Sequence, residues 1–310
     1  MNPLRRALKD YLALRRSLGF KLVSAGAELR KFVDFLERKR ASHITTALAL
    51  SWVRQSPGVH PAVCGQRLGF VRGFARYRSA TDPRTEVPPL GLFPGRYPRS
   101  TPYLYRDDEI RLLVKTAKTL PSSVGLRPWT YSTLLGLLSV TGLRVSEAIG
   151  LQRNDVDILQ GLLRIRHAKF GKERFVPLHR STARTLRRYV KRRDAIHRFP
   201  NSGAFFLSDQ GRPITDCMVR WTFIRLSRRI GLRKPSASSG PRLHDFRHRF
   251  AVRTLLGWYR SGVDVERRLP VLSTFLGHGH VEDTYWYLSA VPELLALTTG
   301  RLEKRWEAAQ

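Results

Sequence analysis

Apolar residues recur at helical spacing in four segments of the first 80 residues. The four sets are Leu4, Leu8, Tyr11 and Leu12; Leu29, Phe32, Val33 and Leu36; Leu48 and Trp52; and Phe70, Val71, Phe74 and Tyr77. Apolar side chains three or four positions apart share one face of a helix, so each segment predicts an amphipathic helix. Thr45 or Thr46 would cap the third helix, because a threonine hydroxyl can accept from a free amide at a helix start. The pattern predicts a small helical domain over residues 1–82.

Prolines and glycines break this pattern between residues 82 and 102. They are Pro83, Pro88, Pro89, Pro94, Pro98 and Pro102, with Gly91 and Gly95. Proline has no amide hydrogen to donate and fixes its own φ angle, so this density excludes a helix. We therefore expect an extended linker over residues 83–102, with the domain boundary inside it.

The remaining chain, residues 103–310, predicts a larger domain that is again mainly helical. The acidic run 107–109 favours a helix start, because negative charge is stabilising at that end of the helix dipole. A nearly all-apolar helix over about 129–140 would form the centre of the core. Gly142 would end that helix and Val145 would begin the next one.

Two short strands and a terminal helix complete the predicted elements. Leu162–His167 and Arg174–Leu178 are expected to be strands joined by a tight turn at Phe170-Gly171. Residues 292–306 predict an amphipathic helix, because leucines recur there at helical spacing. The predicted fold class is therefore mainly α with a small β-sheet (α+β), in two domains.

The net charge of the chain indicates which kind of partner it binds. Lys and Arg number 56 against 24 Asp and Glu, which gives a formal net charge of +32. Such an excess repels itself unless an acidic partner is bound, and nucleic acid is the first candidate. The hydrophobic fraction of 42% and the aromatic fraction of 10% indicate that the basic residues belong to a folded body. Ribosomal, histone-like and membrane-surface proteins are also basic, so charge does not define the chemistry.

Cysteine content and hydropathy indicate the compartment. Cys64 and Cys217 are too few for a disulfide framework or a cysteine zinc site, which fits a reducing environment. Charged residues interrupt the N-terminal segment, and no segment approaches the length of a membrane span. We therefore expect a soluble, cytoplasmic protein.

The residues that could carry chemistry are cations, hydrogen-bond donors and one phenol. They are Arg144, Lys169, His244, Arg247, His278 and Tyr287. Singly, each has an ordinary explanation, such as an ion pair for Arg144 or a solvated turn for Lys169. As a set they can stabilise a phosphate that gains negative charge, because arginines grip its oxygens while histidines and a lysine donate protons. The set predicts phosphoryl transfer without a metal or other cofactor.

A zinc site is the competing interpretation of the histidines. His244 and His248 have the spacing of two ligands on one helix, and His278 and His280 form a second pair. Neither pair has a nearby Cys or a Glu placed as in the helical zinc-protease signature, and Arg247 would repel a cation. We expect no metal site and interpret His248 as a hydrogen-bonded structural histidine.

Three motifs, in order along the chain, resemble those of the tyrosine recombinase or phage integrase family. Residues 141–148, Thr-Gly-Leu-Arg-Val-Ser-Glu-Ala, resemble the segment around the first catalytic arginine of that family. Residues 243–248, Leu-His-Asp-Phe-Arg-His, resemble its His-x-x-Arg box. Leu276-Gly277-His278, followed by Thr284 and Tyr287, is similar to its last motif. The resemblance extends over residues 103–290.

The resemblance implies a role for each matched residue. Arg144 and Arg247 would hold the scissile phosphate of double-stranded DNA. His244 would act as acid or base, and His278 would donate a hydrogen bond to the transition state. The first domain resembles the core-binding domain of the family in outline, and the two domains together would form a C-shaped clamp around DNA.

The resemblance also implies a tyrosine nucleophile and a lysine acid. Tyr287, nine residues after His278, would attack the phosphate, and Tyr285 is the alternative on another face of the same helix. The resulting 3′-phosphotyrosine would conserve the phosphodiester energy, so rejoining would need no ATP. Lys169 would protonate the leaving oxygen, with Lys172 as the other candidate. Lys172 and Arg174 are otherwise expected to contact DNA.

The biological setting implied by the resemblance is a mobile element in a bacterium. Residues 262–270 form a longer segment that looks like the one in recombinases of transposon-like elements. The implied assembly is a tetramer on two DNA sites, with a dimer at each, alone or with other recombinases of the same element. Residues 292–306 would dock on a neighbouring protomer, although packing on their own domain is the alternative.

Three other functions stay open. A catalytically silent accessory protein of the same fold would bind DNA, but it would not need the complete set of chemical groups. A type IB topoisomerase-like enzyme would share the chemistry and differ in not exchanging strands between two sites. An RNA-binding or ribosomal protein would explain the charge and leave the ordered motifs unexplained.

Overall fold

The computed structural model describes residues 3–55, 58–94, 101–166, 173–198 and 202–307. The chain divides into two compact units, Met1–Ser100 and Thr101–Gln310. The point of division lies within the stretch expected to be a linker. Over the described ranges the chain is mostly helical with a three-stranded sheet, which confirms the predicted fold class.

The first unit contains the four helices that the apolar spacing predicts. They are α1 (Pro3–Ser17), α2 (Val23–Arg38), α3 (Thr46–Val53) and α4 (Pro61–Ser79). Their apolar faces meet in one core that includes Leu8, Phe32, Trp52 and Phe74. Thr45 is the residue that caps α3, because its hydroxyl accepts from the Leu48 amide at 3.2 Å.

Residues 83–94, the described part of the expected linker, contain no helix but are held against α4. Arg72 on α4 donates from Nε to the Pro88 carbonyl at 2.7 Å and from Nη2 to the Pro89 carbonyl at 2.6 Å. A Cβ atom at Gly65 would lie 2.5 Å from the Pro94 carbonyl oxygen, so glycine is what permits this close approach. This stretch therefore packs on the first unit and is not a free linker.

The second unit contains nine helices among its described residues. They are α5 (Asp107–Ala117), α6 (Arg127–Thr141), α7 (Val145–Ile149), α8 (Arg180–Ile196), α9 (Asp216–Arg229), α10 (Asp245–Arg260), α11 (Val265–Leu276), α12 (Glu282–Ala290) and α13 (Pro292–Glu307). Helix α6 is buried on nearly all sides, with Leu134, Leu135 and Leu138 in the centre of the core. Its position explains why its sequence is apolar throughout.

A small antiparallel sheet lies beside these helices. Its strands are β1 (Val156–Asp157), β2 (Leu162–Ile165) and β3 (Arg174–Pro177), in the order β1-β2-β3. The two predicted strands are present but shorter than expected. The two-residue β1 was not predicted, because two residues cannot show a period. The predicted turn at Phe170-Gly171 lies outside the described residues.

The last four helices form a second core within this unit. Leu255, Leu269, Leu276, Tyr287 and Leu294 pack together between α10, α11, α12 and the first turn of α13. Helix α13 packs on α10 and α12 of its own domain. In the part of the chain that the structure describes, no helix combines the length and the apolar character needed to cross a membrane.

Candidate active site

The candidate active site lies where the C-terminal end of α11 meets the start of α7 and the start of α10. Gly142 and Gly277 end α6 and α11 in the left-handed region, with φ of 61° and 68°. A Cβ atom at Gly142 would lie 2.7 Å from the Phe250 ring, and one at Gly277 would lie 2.6 Å from Nη1 of Arg174. The left-handed conformation favours glycine at both helix ends, and at Gly142 the Phe250 ring also leaves no room for a side chain.

Two arginines point into the end of α11. Arg247 on α10 is 1% exposed and donates to the carbonyls of Gly142 at 3.0 Å and Leu276 at 2.7 Å. Arg144, which precedes α7, donates to the Gly277 carbonyl at 2.9 Å. Carbonyls at a helix end lack helical partners and favour cations. Burial and then the charge of Arg144 lower the pKa of Arg247 to about 10.

A buried carboxylate, Glu147, holds this arrangement. It accepts from Arg144 Nη1 at 2.8 Å and from Arg174 Nη2 at 2.8 Å, and its side chain is 6% exposed. Arg174 also donates from Nε to the Phe275 carbonyl at 2.8 Å. Burial alone would raise the pKa of Glu147, but the hydrogen bonds from the two arginines outweigh it and the pKa is lowered. Glu147 is therefore ionised and fixes both guanidinium groups.

The two histidines of the predicted set are uncharged at neutral pH. Desolvation by the surrounding protein and then the charge of Arg247 lower the pKa of His244 to about 4, although the residue keeps a solvent-exposed part. Burial, followed by the charges of Arg247 and Arg144, lowers the pKa of His278 to about 4. A neutral imidazole carries one N–H donor and one bare nitrogen, so each ring can donate one hydrogen bond and accept another.

Tyr287 on α12 lies beside these histidines. Its side chain is 2% exposed, and its ring stacks against His278 with the centroids 6.3 Å apart. The phenol oxygen lies 3.2 Å from Nδ1 of His248. Tyr285, two residues earlier, is 50% exposed on another face of α12. Of these two tyrosines, Tyr287 is the one beside the histidines and arginines.

His248 has more contacts with the site than its interpretation as a structural histidine implied. Its ring meets that of His244 edge to face at 4.7 Å, in addition to its contact with Tyr287. Burial and then the charge of His244 lower the pKa of His248 to about 3. Among the described residues, no group of three or more His, Cys, Asp or Glu side chains is arranged to hold a metal ion.

The structure thus brings together most of the predicted set. Five members lie around the end of α11: Arg144, His244, Arg247, His278 and Tyr287. Lys169 and Lys172 lie outside the described residues. Arg174, which is expected to contact DNA, has a nearly buried guanidinium that donates to Glu147 and to the Phe275 carbonyl.

Three supporting residues were not assigned a role from the sequence. They are Glu147, His248 and Thr284, whose Oγ1 lies 2.7 Å from Nδ1 of His278. The spacing of Arg144 and Glu147 was an available signal, because an acid three residues after a helix-preceding residue forms a capping box. Apart from the Glu147–Arg174 ion pair and Thr284, the site consists of two arginines, three neutral imidazoles and one phenol, which suits binding and attack of a phosphate.

Comparison with known proteins identifies relatives over the whole chain. The family model of the phage integrase family matches residues 104–293. A protein of Sinorhizobium fredii named "Putative integrase/recombinase y4rB" is 48% identical over 311 residues, which cover 99% of each chain.

Two solved structures show the same fold. One is the Tn1549 transposon integrase in complex with transposon right end DNA, with a TM-score of 0.69 and 15% identity over 96% of this chain and 98% of that one. The other is a lambda integrase tetramer bound to a Holliday junction, with a TM-score of 0.62 and 17% identity over 92% of this chain and 76% of that one. At these identities the likeness concerns the fold alone.

Proposed function

The chain belongs to the phage integrase family of site-specific recombinases, and we propose that it cleaves and rejoins double-stranded DNA with Tyr287 as the nucleophile. The phenol oxygen attacks the scissile phosphorus, the bond from phosphorus to the 5′ oxygen breaks, and a 3′-phosphotyrosine forms. The phenol loses its proton and the leaving 5′ oxygen gains one. Attack of a 5′ hydroxyl on the phosphotyrosine then restores the DNA, without a metal or ATP.

The observation that carries this proposal is that Tyr287 lies close to Arg247, which together with Arg144 has donors to spare. An arginine has five N–H donors, and the carbonyls of Gly142 and Leu276 take two of those of Arg247. The remaining donors of Arg247, with those of Arg144, can bind the non-bridging oxygens of a phosphate. Backbone carbonyls hold both groups in place before DNA arrives, and Glu147 also holds Arg144. This is the preorganisation that transition-state stabilisation needs.

The same cations assist the nucleophile. An ordinary tyrosine has a pKa near 10, so forming its phenolate at pH 7 costs about 4 kcal/mol. Positive charge close to the phenol offsets part of that cost, and Arg247 and Tyr287 are close enough to interact electrostatically. The positive charge that binds the phosphate therefore also lowers the free-energy cost of ionising the nucleophile.

Three further residues complete the proposed chemistry. His244, which is neutral, can act as an acid or base that accepts a proton from a reacting oxygen or donates one to it. His278 donates a hydrogen bond to a phosphate oxygen. The leaving 5′ alkoxide is far more basic than a phenolate, so it needs a general acid. Lys169 is the proposed acid, with Lys172 as the alternative. Lys172 and Arg174 are the proposed DNA contacts. Arg174 uses three of its five N–H donors on Glu147 and the Phe275 carbonyl, which leaves two for DNA.

We further propose that residues 1–82 and 103–310 act as a core-binding and a catalytic domain that together clamp DNA. The net charge of +32 supports DNA as the partner. A tetramer on two DNA sites is the proposed assembly. Helix α13 buries Leu294 in its own domain but leaves Leu295 and Trp306 exposed, so an apolar outer surface is available to a neighbouring protomer.

Movement of a mobile element is the proposed biological role. It is supported by the name of the 48% identical relative as an integrase or recombinase and by the resemblance of residues 262–270 to transposon-type recombinases. To test this role, the purified protein is used to select its binding sequence from a randomised DNA library. The account predicts that the selected sequence matches DNA at the ends of the element that carries the gene, and a match to an unrelated chromosomal site contradicts it.

The experiment for the proposed chemistry uses a nicked duplex built on the half-site that the protein selects from a randomised DNA library. Wild-type protein, Tyr287→Phe and Tyr285→Phe are each incubated with it, and adducts that resist denaturant are separated by electrophoresis. We expect adducts from the wild type and from Tyr285→Phe, and none from Tyr287→Phe.

Other outcomes distinguish the alternatives. No adduct from any variant, on DNA that all of them bind, would support a silent accessory protein. An adduct with relaxation of supercoils, but no exchange between two sites, would support a topoisomerase-like enzyme.

A further inference from the structure

Thr284 makes a buried contact with one of the proposed phosphate-binding residues. Its side chain is 0% exposed, and its Oγ1 lies 2.7 Å from Nδ1 of His278. Thr284 belongs to the first turn of α12, three residues before Tyr287. The helix that carries the nucleophile therefore also contacts the imidazole of His278.

The hydroxyl of Thr284 differs from those of three other helical threonines in its hydrogen-bond partner. Thr141, Thr254 and Thr298 each donate to the carbonyl four residues earlier, at 2.7, 2.9 and 2.8 Å respectively. That bond to the preceding turn is the usual one for a threonine in a helix. Over the described ranges, the hydrogen-bonding contact of the Thr284 hydroxyl is with His278 instead.

This contact distinguishes the two tautomers of the ring. If Nδ1 carried the proton, Oγ1 would accept it and the hydroxyl hydrogen of Thr284 would be buried without an acceptor among the described residues. A buried donor that has no acceptor is unfavourable, because it has lost its hydrogen bond to water and gained none in the protein. If the hydroxyl donates to a bare Nδ1, both groups are satisfied and the ring proton lies on Nε2.

We propose that Thr284 is a positioning residue that holds His278 as the Nε2–H tautomer, with its single donor directed away from Thr284. The proposal rests on the proposed function, in which His278 donates a hydrogen bond to the scissile phosphate. A neutral imidazole can donate only from the nitrogen that carries the proton. Without Thr284 the proton divides between the two nitrogens, and only a fraction of the molecules present a donor at Nε2.

The consequence for the reaction is a coupling through α12. Thr284 and Tyr287 lie on the same helix one turn apart. A displacement of α12 would therefore move Tyr287 away from the phosphate and also break the hydrogen bond that selects the tautomer of His278. Correct placement of α12 thus supplies both the attacking oxygen and the donor for the phosphate. The attacking oxygen and the phosphate donor therefore take up their positions together.

The first test compares two substitutions of similar size. Thr284→Val replaces the hydroxyl by a methyl group, whereas Thr284→Ser keeps the hydroxyl. On the selected nicked duplex, at saturating protein, we expect the single-turnover cleavage rate to fall at least about tenfold in Thr284→Val and to recover in Thr284→Ser. The matched control is Thr254→Val, which removes a helical hydroxyl outside the site and should leave the rate unchanged. Equal rates for Thr284→Val and wild type would overturn the proposal.

The second test measures the tautomer directly and requires no DNA. Full-length protein labelled with 15N-histidine is examined by NMR, and the His278 resonances are assigned by their loss in His278→Gln. We expect a protonated Nε2 and a bare Nδ1 in the wild type and in Thr284→Ser, and a mixture of tautomers in Thr284→Val. A wild-type ring protonated at Nδ1 would overturn the proposal, even if the protein cleaves DNA.

A double-mutant cycle separates positioning from a general loss of structure. If Thr284 acts through His278, then adding Thr284→Val to His278→Ala causes no further loss of cleavage. Additive losses would show that Thr284 acts by another route. Failure of the wild type to form any adduct would instead contradict the proposed function, while the NMR result would still decide the tautomer.

Discussion

Nδ1 of His248 lies 3.2 Å from the phenol oxygen of Tyr287, across the interface between α10 and α12. Burial and then the charge of His244 hold the pKa of His248 near 3, so its imidazole is neutral at physiological pH. A neutral ring with a bare Nδ1 can accept the hydrogen bond of the phenol. It is a poor final proton acceptor, so its expected role is to orient the nucleophile.

The first prediction concerns this contact. His248→Leu removes the acceptor, whereas His248→Asn keeps an oxygen close to the former Nδ1 position. We expect the single-turnover cleavage rate of His248→Leu to fall by about tenfold or more, because a misplaced nucleophile loses the near-attack geometry. His248→Asn should retain most of the rate at equal DNA affinity. Equal losses in the two variants would mean that the hydrogen bond has no role.

The second prediction concerns Glu147. Replacing it with Gln leaves the guanidinium groups of Arg144 and Arg174 without their buried counter-charge. Removal of one partner from a buried ion pair typically destabilises by about 3–5 kcal/mol, and urea unfolding should show a loss in this range.

Glu173→Gln is the matched control, because it disrupts the exposed pair between Arg164 and Glu173. Its expected cost is about 1 kcal/mol or less. If both substitutions change the free energy of unfolding equally, Glu147 does not hold the arginines in the way described.

The third prediction is a pH dependence of stability. The folded-state pKa values of His248 and His278, about 3 and about 4, lie below the ordinary value of 6.5. Between these values and 6.5 the unfolded chain binds more protons than the folded chain, so stability must fall as the pH is lowered through this range. Above pH 6.5 the contribution is fully present.

Urea midpoints measured from pH 7.5 down to pH 4.5 test this dependence. Protonation of exposed carboxylates adds a background slope that the wild type and variants share. We therefore expect a steeper decline in the wild type than in His248→Asn, which lacks one of the titrating groups. Identical slopes would show that His248 titrates normally in the folded protein.

The fourth prediction compares two glycines. Gly277 ends α11 at a φ of 68°, and a Cβ atom there would lie 2.6 Å from Nη1 of Arg174. Gly277→Ala should destabilise by at least about 1 kcal/mol from backbone strain alone, and it should also slow cleavage. Gly136→Ala, inside α6 with open space around its Cβ position, should be stabilising by about 0.5–1 kcal/mol. A loss of stability at Gly136 as large as that at Gly277 would contradict this explanation.

Local pattern was sufficient for most of the fold. Spacing identified α1 to α4, because each buries one face against the others, and the apolar run of α6 marked the centre of the second core. Local pattern failed where a contact depends on distant residues. Residues 83–94 have the composition of a free linker, but the bonds of Arg72 to Pro88 and Pro89 hold them on α4.

In the site, too, some residues could be predicted from local motifs and others depend on contacts between distant segments. Motif resemblance selected Arg144, Arg247, His244, His278 and Tyr287, and the structure brings these five together. The bonds of Arg174 to Glu147 and to the Phe275 carbonyl were not predicted, because an exposed arginine and one paired with a buried acid have the same sequence signature. His248 and Thr284 were not distinguished from structural residues, because their roles depend on how α10 and α12 pack.

The most direct test of the proposed chemistry is to identify the amino acid that becomes joined to DNA. The adduct trapped on the nicked duplex is digested with nuclease and trypsin, and the modified peptide is fragmented in a mass spectrometer. Cleavage after Arg268 and Arg301 gives a peptide that contains both Tyr285 and Tyr287. The proposed mechanism predicts a 3′-nucleotide phosphate on Tyr287, whereas the same mass on Tyr285 or on any other residue would contradict it.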